Sequence, residues 1–154
     1  MRPAFEYRHV VAFEETNLVG NVYYTNHVRW QGRCRELFLR AHAPDVLAEL
    51  SRGLALVTTR VSCDYLAELR AFDEVRIRMQ LAELGPGRIT MYFEYWRTGG
   101  RDELIARGEQ QVVCMRRSAA PSGDMEITAI PPALLEALRP YRIDESYAIS
   151  RRAT

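Results

Sequence analysis

The sequence lacks both a long hydrophobic run and an excess of charge of either sign. No apolar stretch approaches the roughly 20 residues of a membrane-spanning helix, and no apolar signal core follows Met1. The 21 Lys and Arg residues against 20 Asp and Glu leave a net charge of +1, which gives no bulk attraction to nucleic acid or to an anionic membrane. We therefore expect a cytoplasmic protein that binds neither.

Cysteines are few and widely spaced. Cys34, Cys63 and Cys114 are odd in number, which argues against a disulfide framework, and their spacing argues against a zinc site. The sequence also shows no serine nucleophile elbow, no phosphate-binding loop and no metal-ligand cluster. We expect reduced, mostly buried thiols, no metal and no cofactor.

The 154 residues contain no internal repeat and no low-complexity segment. This length suits one domain with a substantial core and is short for two. We therefore expect one domain over residues 1–154. Its core should span about residues 5–140, followed by a flexible C-terminal tail that includes Arg151 and Arg152.

A helical apolar period dominates the segment from Tyr24 to Ala41. It predicts an amphipathic helix of about 17 residues, roughly 25 Å long. Pro44 follows, and a second short helix through Arg52 is expected. The apolar stripe of the long helix comprises Trp30, Cys34, Leu37, Phe38 and Ala41.

Alternating apolar residues predict strands on both sides of this helix. One strand precedes it, from Phe5 to Glu14, and four follow, near residues 54–65, 75–81, 89–95 and 104–116. A helix with a wide apolar face needs a sheet to cover it. The order of elements predicts an α+β hotdog fold, an antiparallel sheet wrapped around one long central helix.

Two segments carry a family resemblance. Residues 13–24, FEETNLVGNVYY, resemble the entry motif of the 4-hydroxybenzoyl-CoA thioesterase-like hotdog enzymes, and residues 63–74 are similar to that family's strand-and-turn element. With Pro131 and Leu134, the similarity covers about residues 5–140. Residues 20–24 and 106–115 further resemble the thioesterases of enediyne polyketide pathways.

The enediyne resemblance implies an activity and an assembly. Such enzymes release a polyene β-ketoacyl chain from the acyl carrier domain of an iterative polyketide synthase, giving a β-keto acid that can decarboxylate to a methyl ketone polyene. The resemblance also implies a homodimer whose sheets are continuous, with the site between subunits. A tetramer of two dimers is implied as well.

Asn17 stands where the wider family carries a catalytic aspartate, and Gly32 stands where many relatives carry a glutamate. A neutral amide cannot act as a base or nucleophile. Catalysis would then rest on positioning and on backbone N–H groups around Val22 to Tyr24 that hold the oxyanion. The enediyne resemblance favours catalysis, since those relatives also carry asparagine. The alternative is that Asn17 is a turn residue that bonds its own backbone.

Arg35 is the second candidate catalytic residue. Its guanidinium lies on the long helix, off the apolar stripe, and could contact a β-keto oxygen or the oxyanion. The resemblance also places a recurrent arginine here. The alternative is a helix-surface ion pair with Glu36 or another acidic residue.

Further residues are predicted to contact substrate. His27 could instead be a structural histidine, Thr58 and Thr59 could reflect β-propensity alone, and the aromatic residues could belong to the core. Three functions stay open: a carrier-bound β-ketoacyl thioesterase, a general acyl- or aryl-CoA thioesterase, and a non-catalytic acyl-binding protein. The predicted substrate-binding residues are Gly20, Val22, Tyr23, Tyr24, His27, Thr58, Thr59 and Tyr65.

Overall fold

The computed structural model describes residues 2–143. The expected C-terminal tail, with Arg151 and Arg152, lies outside the described residues. The strands are β1 Phe5–Val10, β2 Leu54–Tyr65, β3 Glu74–Gly85, β4 Arg88–Thr98, β5 Glu103–Arg117 and β6 Met125–Ile127. The helices are α1 Thr25–His42, α2 Pro44–Leu50 and α3 Pro132–Leu138, and short 3-10 turns cover Phe13–Glu15 and Arg139–Tyr141.

The strands form one antiparallel sheet in the order β1-β3-β4-β5-β2, and β6 pairs with the end of β5. Helix α1 packs against the inner face of this sheet through the core cluster. The arrangement confirms the predicted hotdog fold. None of the helices within residues 2–143 combines the length and apolarity needed to cross a membrane.

The 18 residues of α1 follow the predicted helix closely. The helix ends at His42, two residues before Pro44, whose ring disfavours helical conformation in the preceding residue. Trp30, Cys34 and Phe38 are buried as predicted. The predicted apolar stripe was wrong at Ala41, which is exposed. Polar side chains share the buried face of α1 instead. Those buried polar residues are Asn26, His27 and Gln31.

The clearest differences from the predicted strands are the end of β1 and the additional strand β6. Strand β1 ends at Val10 rather than Glu14, since residues 13–15 turn into a 3-10 helix. Strand β6 was not predicted, because its three residues are all exposed and too few for a periodic pattern.

Strand β2 lies at the edge of the sheet and pairs only with β5 among the described strands. It spans 12 residues, and those from Val57 to Val61 are exposed. The register shifts between Thr58 and Arg60, so Thr59 is the extra residue of a β-bulge. A long unpaired edge of this kind is suited to strand pairing with another chain.

Candidate active site

A tight loop, residues 16–23, joins the first 3-10 turn to α1; we call it the entry loop. A β-bridge between Thr16 and Val22 closes its base. The N–H of Asn17 donates to the Asn21 carbonyl at 2.9 Å, and the N–H of Gly20 donates to the Asn17 carbonyl at 3.0 Å. Gly20 has φ +89°, a left-handed conformation that glycine adopts without strain. These bonds fix Asn17 at the surface beside the start of α1.

The two ends of the Asn17 amide have different partners. Its Oδ1 accepts a hydrogen bond from the Val19 N–H at 3.0 Å, as in an Asx turn. The Oδ1 atom of Asn17 therefore has the turn role that the sequence suggested. Its Nδ2 makes no hydrogen bond with the residues of 2–143 and remains a donor for a ligand. Asn17 can thus donate to a carbonyl, but its oxygen is not free to hold water.

Glu15 ties the entry loop to its surroundings. Its carboxylate accepts from the Ala12 N–H at 2.8 Å, from His9 Nε2 at 2.6 Å and from Trp30 Nε1 at 2.7 Å. Burial raises the pKa of Glu15, but these hydrogen bonds outweigh it and leave the pKa below its ordinary value. Its carbonyl also accepts from Asn26 Nδ2 at 2.8 Å. The sequence did not single out this residue, although it precedes the loop directly.

The backbone donors expected around Val22 to Tyr24 are mostly used by the fold. The Val22 N–H donates to Leu69 at 2.8 Å, and the Tyr23 N–H donates to Glu15 at 2.9 Å. Of the three, only the Tyr24 N–H makes no hydrogen bond with the described residues. The predicted set of oxyanion donors was therefore wrong for Val22 and Tyr23, because closing the loop consumes their amides.

A pocket of about 290 Å³ opens between the entry loop, the start of α1 and the end of β2. It brings together five residues predicted for the site, while Gly20 and Tyr23 do not line it. Tyr23 is half-exposed and packs on the ring of Tyr24, with centroids 4.6 Å apart. The lining residues are Asn17, Asn21, Val22, Tyr24, His27, Tyr65, Ala67, Glu68 and Leu69.

His27 lies at the inner wall of this pocket and is 3% exposed. Its ring contacts Tyr65 edge-on, with centroids 4.8 Å apart and planes at 82°, and packs beside Trp30 and Tyr95. Both ring nitrogens are buried without a hydrogen-bond partner among the described residues. Burial lowers the pKa of His27 to about 4, against a smaller opposing effect of the Tyr24 carbonyl, so the imidazole is neutral at pH 7.

Arg35 lies further along α1 and faces β2 and β5. Its Nη1 donates to Gln110 Oε1 at 2.8 Å and reaches Thr58 Oγ1 at 3.4 Å. The considered ion pair with Glu36 is not formed, since Glu36 pairs with Arg33 at 3.6 Å. Burial lowers the pKa of Arg35, although Glu36 opposes this, and a guanidinium stays protonated under such conditions. Within residues 2–143 its hydrogen bonds go to neutral acceptors, so much of its charge is available to an anion.

Gln110 was missed from the sequence, yet a signal existed. Residues 106, 108, 110, 112 and 114 of β5 all face the core, and Gln110 is the polar member of that set. A buried amide is expected to have a specific partner. Here the partner is Arg35.

The bulge in β2 separates the two threonines. Thr58 faces Arg35, whereas Thr59 donates to Gln111 Oε1 at 3.0 Å. Gln111 in turn reaches Thr90 on the other face of the sheet. The structure therefore places Thr58 near a predicted site residue and Thr59 away from it.

Asn17 and Arg35 do not meet within one chain. His27, which shares a pocket with Asn17, precedes Arg35 by eight residues, or about 12 Å along the helix axis. Thr58 and Tyr65, their neighbours on β2, are about 23 Å apart along the strand. No group of three or more His, Cys, Asp or Glu within residues 2–143 could hold a metal ion.

Known proteins match this chain over most of its length. The family model of the thioesterase-like superfamily matches residues 11–138. A crystal structure of the dynemicin thioesterase, from work on induced-fit and allosteric effects upon polyene binding, matches with a TM-score of 0.87 at 49% identity. That match covers 92% of this chain and 99% of the other.

Two more distant proteins are also similar. A curated protein of Aquifex aeolicus (strain VF5), named as an esterase, is 27% identical over 135 residues, which are 88% of this chain and 98% of that protein. The 1,4-dihydroxy-2-naphthoyl-CoA thioesterase from Synechocystis has a TM-score of 0.77 at 19% identity, covering 89% of this chain and 96% of that one. At that identity the similarity concerns the fold.

Proposed function

The chain belongs to the thioesterase-like superfamily, and on this premise we propose that it hydrolyses a polyene β-ketoacyl thioester carried by the acyl carrier domain of an iterative, enediyne-type polyketide synthase. The product would be a β-keto acid that can decarboxylate to a methyl ketone polyene. The 49% identity to the dynemicin thioesterase, whose structures concern polyene binding, supports this substrate class.

The observation that carries the proposal is the charge pattern of the two predicted catalytic residues. Asn17 offers a neutral donor where a base would be expected, and Arg35 offers a cation held by neutral groups. Such a site stabilises negative charge and does not supply a strong base. A β-ketoacyl thioester suits it, because the keto group makes the thioester carbonyl more electrophilic and adds an oxygen for Arg35 to contact.

Roles follow for the residues around the pocket. Asn17 Nδ2 and the Tyr24 N–H are free to donate to the thioester oxygen, and each donor to a developing oxyanion is worth about 3 kcal/mol of barrier. Val22, His27 and Tyr65 enclose the reacting group, and Thr58 lies beside Arg35. We assign no contact to Thr59, since it faces the opposite side of the sheet.

A polyene chain needs apolar surface, and the entry loop supplies some. Leu18 and Val19 are fully or largely exposed at its tip, and the rings of Tyr23 and Tyr24 are about half exposed next to them. Exposed apolar residues that cluster beside a pocket are typical of binding surfaces. This cluster is where we place the entrance for the acyl chain and the contact with the partner subunit.

A homodimer through β2 would complete the site. Two copies of this edge strand can pair antiparallel about a twofold axis between Val61 and Ser62, which sets Tyr65 opposite the partner subunit's Thr58. Tyr65 and Asn17 of one subunit would then approach the partner subunit's Thr58 and Arg35. The pairing explains why both halves of the site lie along β2 but far apart in one chain. A tetramer of two such dimers is the further proposal from the family resemblance.

The test compares release from a β-ketoacyl carrier-protein thioester and from a matched simple acyl thioester, with wild type and Arg35→Ala. We expect fast β-ketoacyl release that drops by about 10² in the variant. Equal rates on the corresponding coenzyme A thioesters would indicate a general acyl-CoA thioesterase instead. No release of either carrier-bound chain above buffer would indicate a non-catalytic acyl-binding protein.

A further inference from the structure

His27 is poorly explained by a role in folding. It sits in an aromatic cluster with Trp30, Tyr65 and Tyr95, where a phenylalanine would pack without a polar cost. Each buried polar atom without a partner destabilises a fold, and neither His27 nitrogen makes a well-formed hydrogen bond within residues 2–143, although the Tyr24 carbonyl lies near enough to raise the His27 pKa slightly. The histidine therefore weakens the fold at this position. A buried imidazole that destabilises the fold in this way indicates a role in binding a ligand.

The pocket also needs a group that holds water, and its other candidates are limited. Asn17 Oδ1 is occupied by the Val19 N–H. Asn21 Oδ1 is buried without a partner, but an amide oxygen does not accept a proton at neutral pH. Glu68 lines the pocket and accepts from Asn21 Nδ2 at 3.0 Å, with its side chain exposed to solvent. Of the two proton acceptors that line the pocket, His27 is the buried one, whereas the Glu68 carboxylate is exposed to solvent.

We propose that His27 is a catalytic residue that binds the hydrolytic water through a neutral ring nitrogen. This role rests on the proposed hydrolysis and deepens it. The water oxygen bonds to the thioester carbon while one water proton passes to the imidazole. The carbon–sulfur bond then breaks, and the same proton passes to the leaving sulfur. The products are a carboxylic acid and the carrier thiol, and His27 returns to its neutral form.

Burial suits this cycle because the imidazolium exists only while the oxyanion is present. An isolated cation would be costly at this depth, so His27 stays ready to accept a proton. The opposite charge on the oxyanion, held by Asn17 Nδ2 and the Tyr24 N–H, offsets the cost in the transition state. A weak base that is always unprotonated can assist attack on an activated carbonyl.

Tyr65 lies between the His27 cluster and solvent. Its side chain covers His27 edge-on, and its hydroxyl donates to the Tyr24 carbonyl at 2.6 Å. Because both His27 nitrogens are enclosed, a neighbouring ring must shift for water to reach them, and Tyr65 is the exposed member of this aromatic cluster. Tyr65 lies at the end of β2 with its ring half-exposed, so the movement needs no change in the core.

The test is His27→Phe, which keeps the aromatic packing and removes both nitrogens. We expect kcat on the β-ketoacyl carrier thioester to fall by about 10² or more, with KM changed by less than about threefold. The thermal midpoint should rise by about 2–4 °C, because the buried unpaired atoms are gone. A purely structural histidine would not give a more stable and less active enzyme.

His42→Phe and Glu68→Gln are the matched variants. His42 also contacts aromatic rings, those of Phe5 and Phe38, at the other end of α1, so its variant should keep kcat. Glu68→Gln tests the other titratable side chain of the pocket and should lower kcat much less than His27→Phe does. Loss of activity in Glu68→Gln with full activity in His27→Phe would assign the base to Glu68 and overturn this role alone. A wild type without activity would overturn the proposed function and this role together.

Discussion

Arg35 and Gln110 are joined by a 2.8 Å hydrogen bond between α1 and β5, 75 residues apart in the chain. Gln110 is 4% exposed and presents its oxygen to the guanidinium. This hydrogen bond fixes the orientation of the Arg35 guanidinium, because the long side chain could otherwise adopt many rotamers. A neutral partner achieves this without cancelling the charge, as a carboxylate would.

Replacing Gln110 should therefore reduce catalysis through Arg35. We expect Gln110→Ala to lower kcat by about tenfold, since a hydrogen bond to a charged group is worth about 1.5–3 kcal/mol and part of it orients the guanidinium. Steady-state kinetics on the β-ketoacyl carrier thioester measures this. Gln111→Ala is the control, because Gln111 faces Thr59 and Thr90 on the other side of the sheet. Equal losses in both variants would contradict the orienting role.

Subunit mixing tests whether the site combines two chains. Asn17→Ala and Arg35→Ala should each be nearly inactive alone. If Asn17 acts with the partner subunit's Arg35, each mixed dimer contains one intact site, and random exchange restores about a quarter of wild-type activity. If both residues act within one chain, every site in the mixture stays defective. Activity assayed after unfolding and refolding the two variants together distinguishes these cases.

The buried His27 should make stability depend on pH. Its pKa is about 4 in the folded chain against an ordinary value of 6.5, so the unfolded state binds the proton first as the pH falls. Stability should therefore be full above pH 6.5 and decline from 6.5 to 4, by about 3 kcal/mol in total. Urea unfolding at several pH values measures the decline, and His27→Phe should remove it.

The tyrosines around His27 do not produce the same decline. Tyr24, Tyr65 and Tyr95 are phenols, and burial raises the pKa of Tyr65 to about 12, far above this range. Glu15, which accepts from Trp30 beside His27, has a lowered pKa and adds its own loss of stability below its ordinary value of 4.5, so the contribution of His27 is the difference between wild type and His27→Phe above that pH. An equal decline in wild type and His27→Phe would refute the assignment to His27.

Gly108 should tolerate no side chain. A Cβ there would lie 2.3 Å from the Ser62 carbonyl oxygen and 2.5 Å from Gln31 Nε2. The buried Gln31 amide donates to that carbonyl at 3.0 Å and holds α1 against β2. We expect Gly108→Ala to destabilise the fold by about 2 kcal/mol, measured by denaturant unfolding. Gly100→Ala, where nothing lies within 4 Å of the added carbon, should be close to neutral.

The elements with regular periods could be predicted from the sequence. The helical period placed α1 correctly, and alternation placed β2 through β5 within a few residues. These patterns are local, since each residue's face depends only on its distance from its neighbours in the chain. Strand β6 was not predicted, because its three exposed residues show no alternating pattern.

The candidate site was predictable in part. The entry motif indicated Asn17 and Tyr24, the start of the helix indicated His27, and the second family segment contains Tyr65; the structure gathers all four at one pocket. The sequence did not tell that the Val22 and Tyr23 amides are consumed by loop closure. It could not tell this because their acceptors, Leu69 and Glu15, are set by how the loop folds back on the chain.

The sequence by itself determined the family, the hotdog architecture and the residue types of a site without a carboxylate at position 17. Only the tertiary structure decided which atoms of those residues are free. The bond from Val19 to Asn17 Oδ1, the Gln110 acceptor for Arg35 and the enclosed nitrogens of His27 all depend on three-dimensional contacts. The physical reason is that a polar atom's chemistry depends on what it already bonds to and on how deeply it is buried.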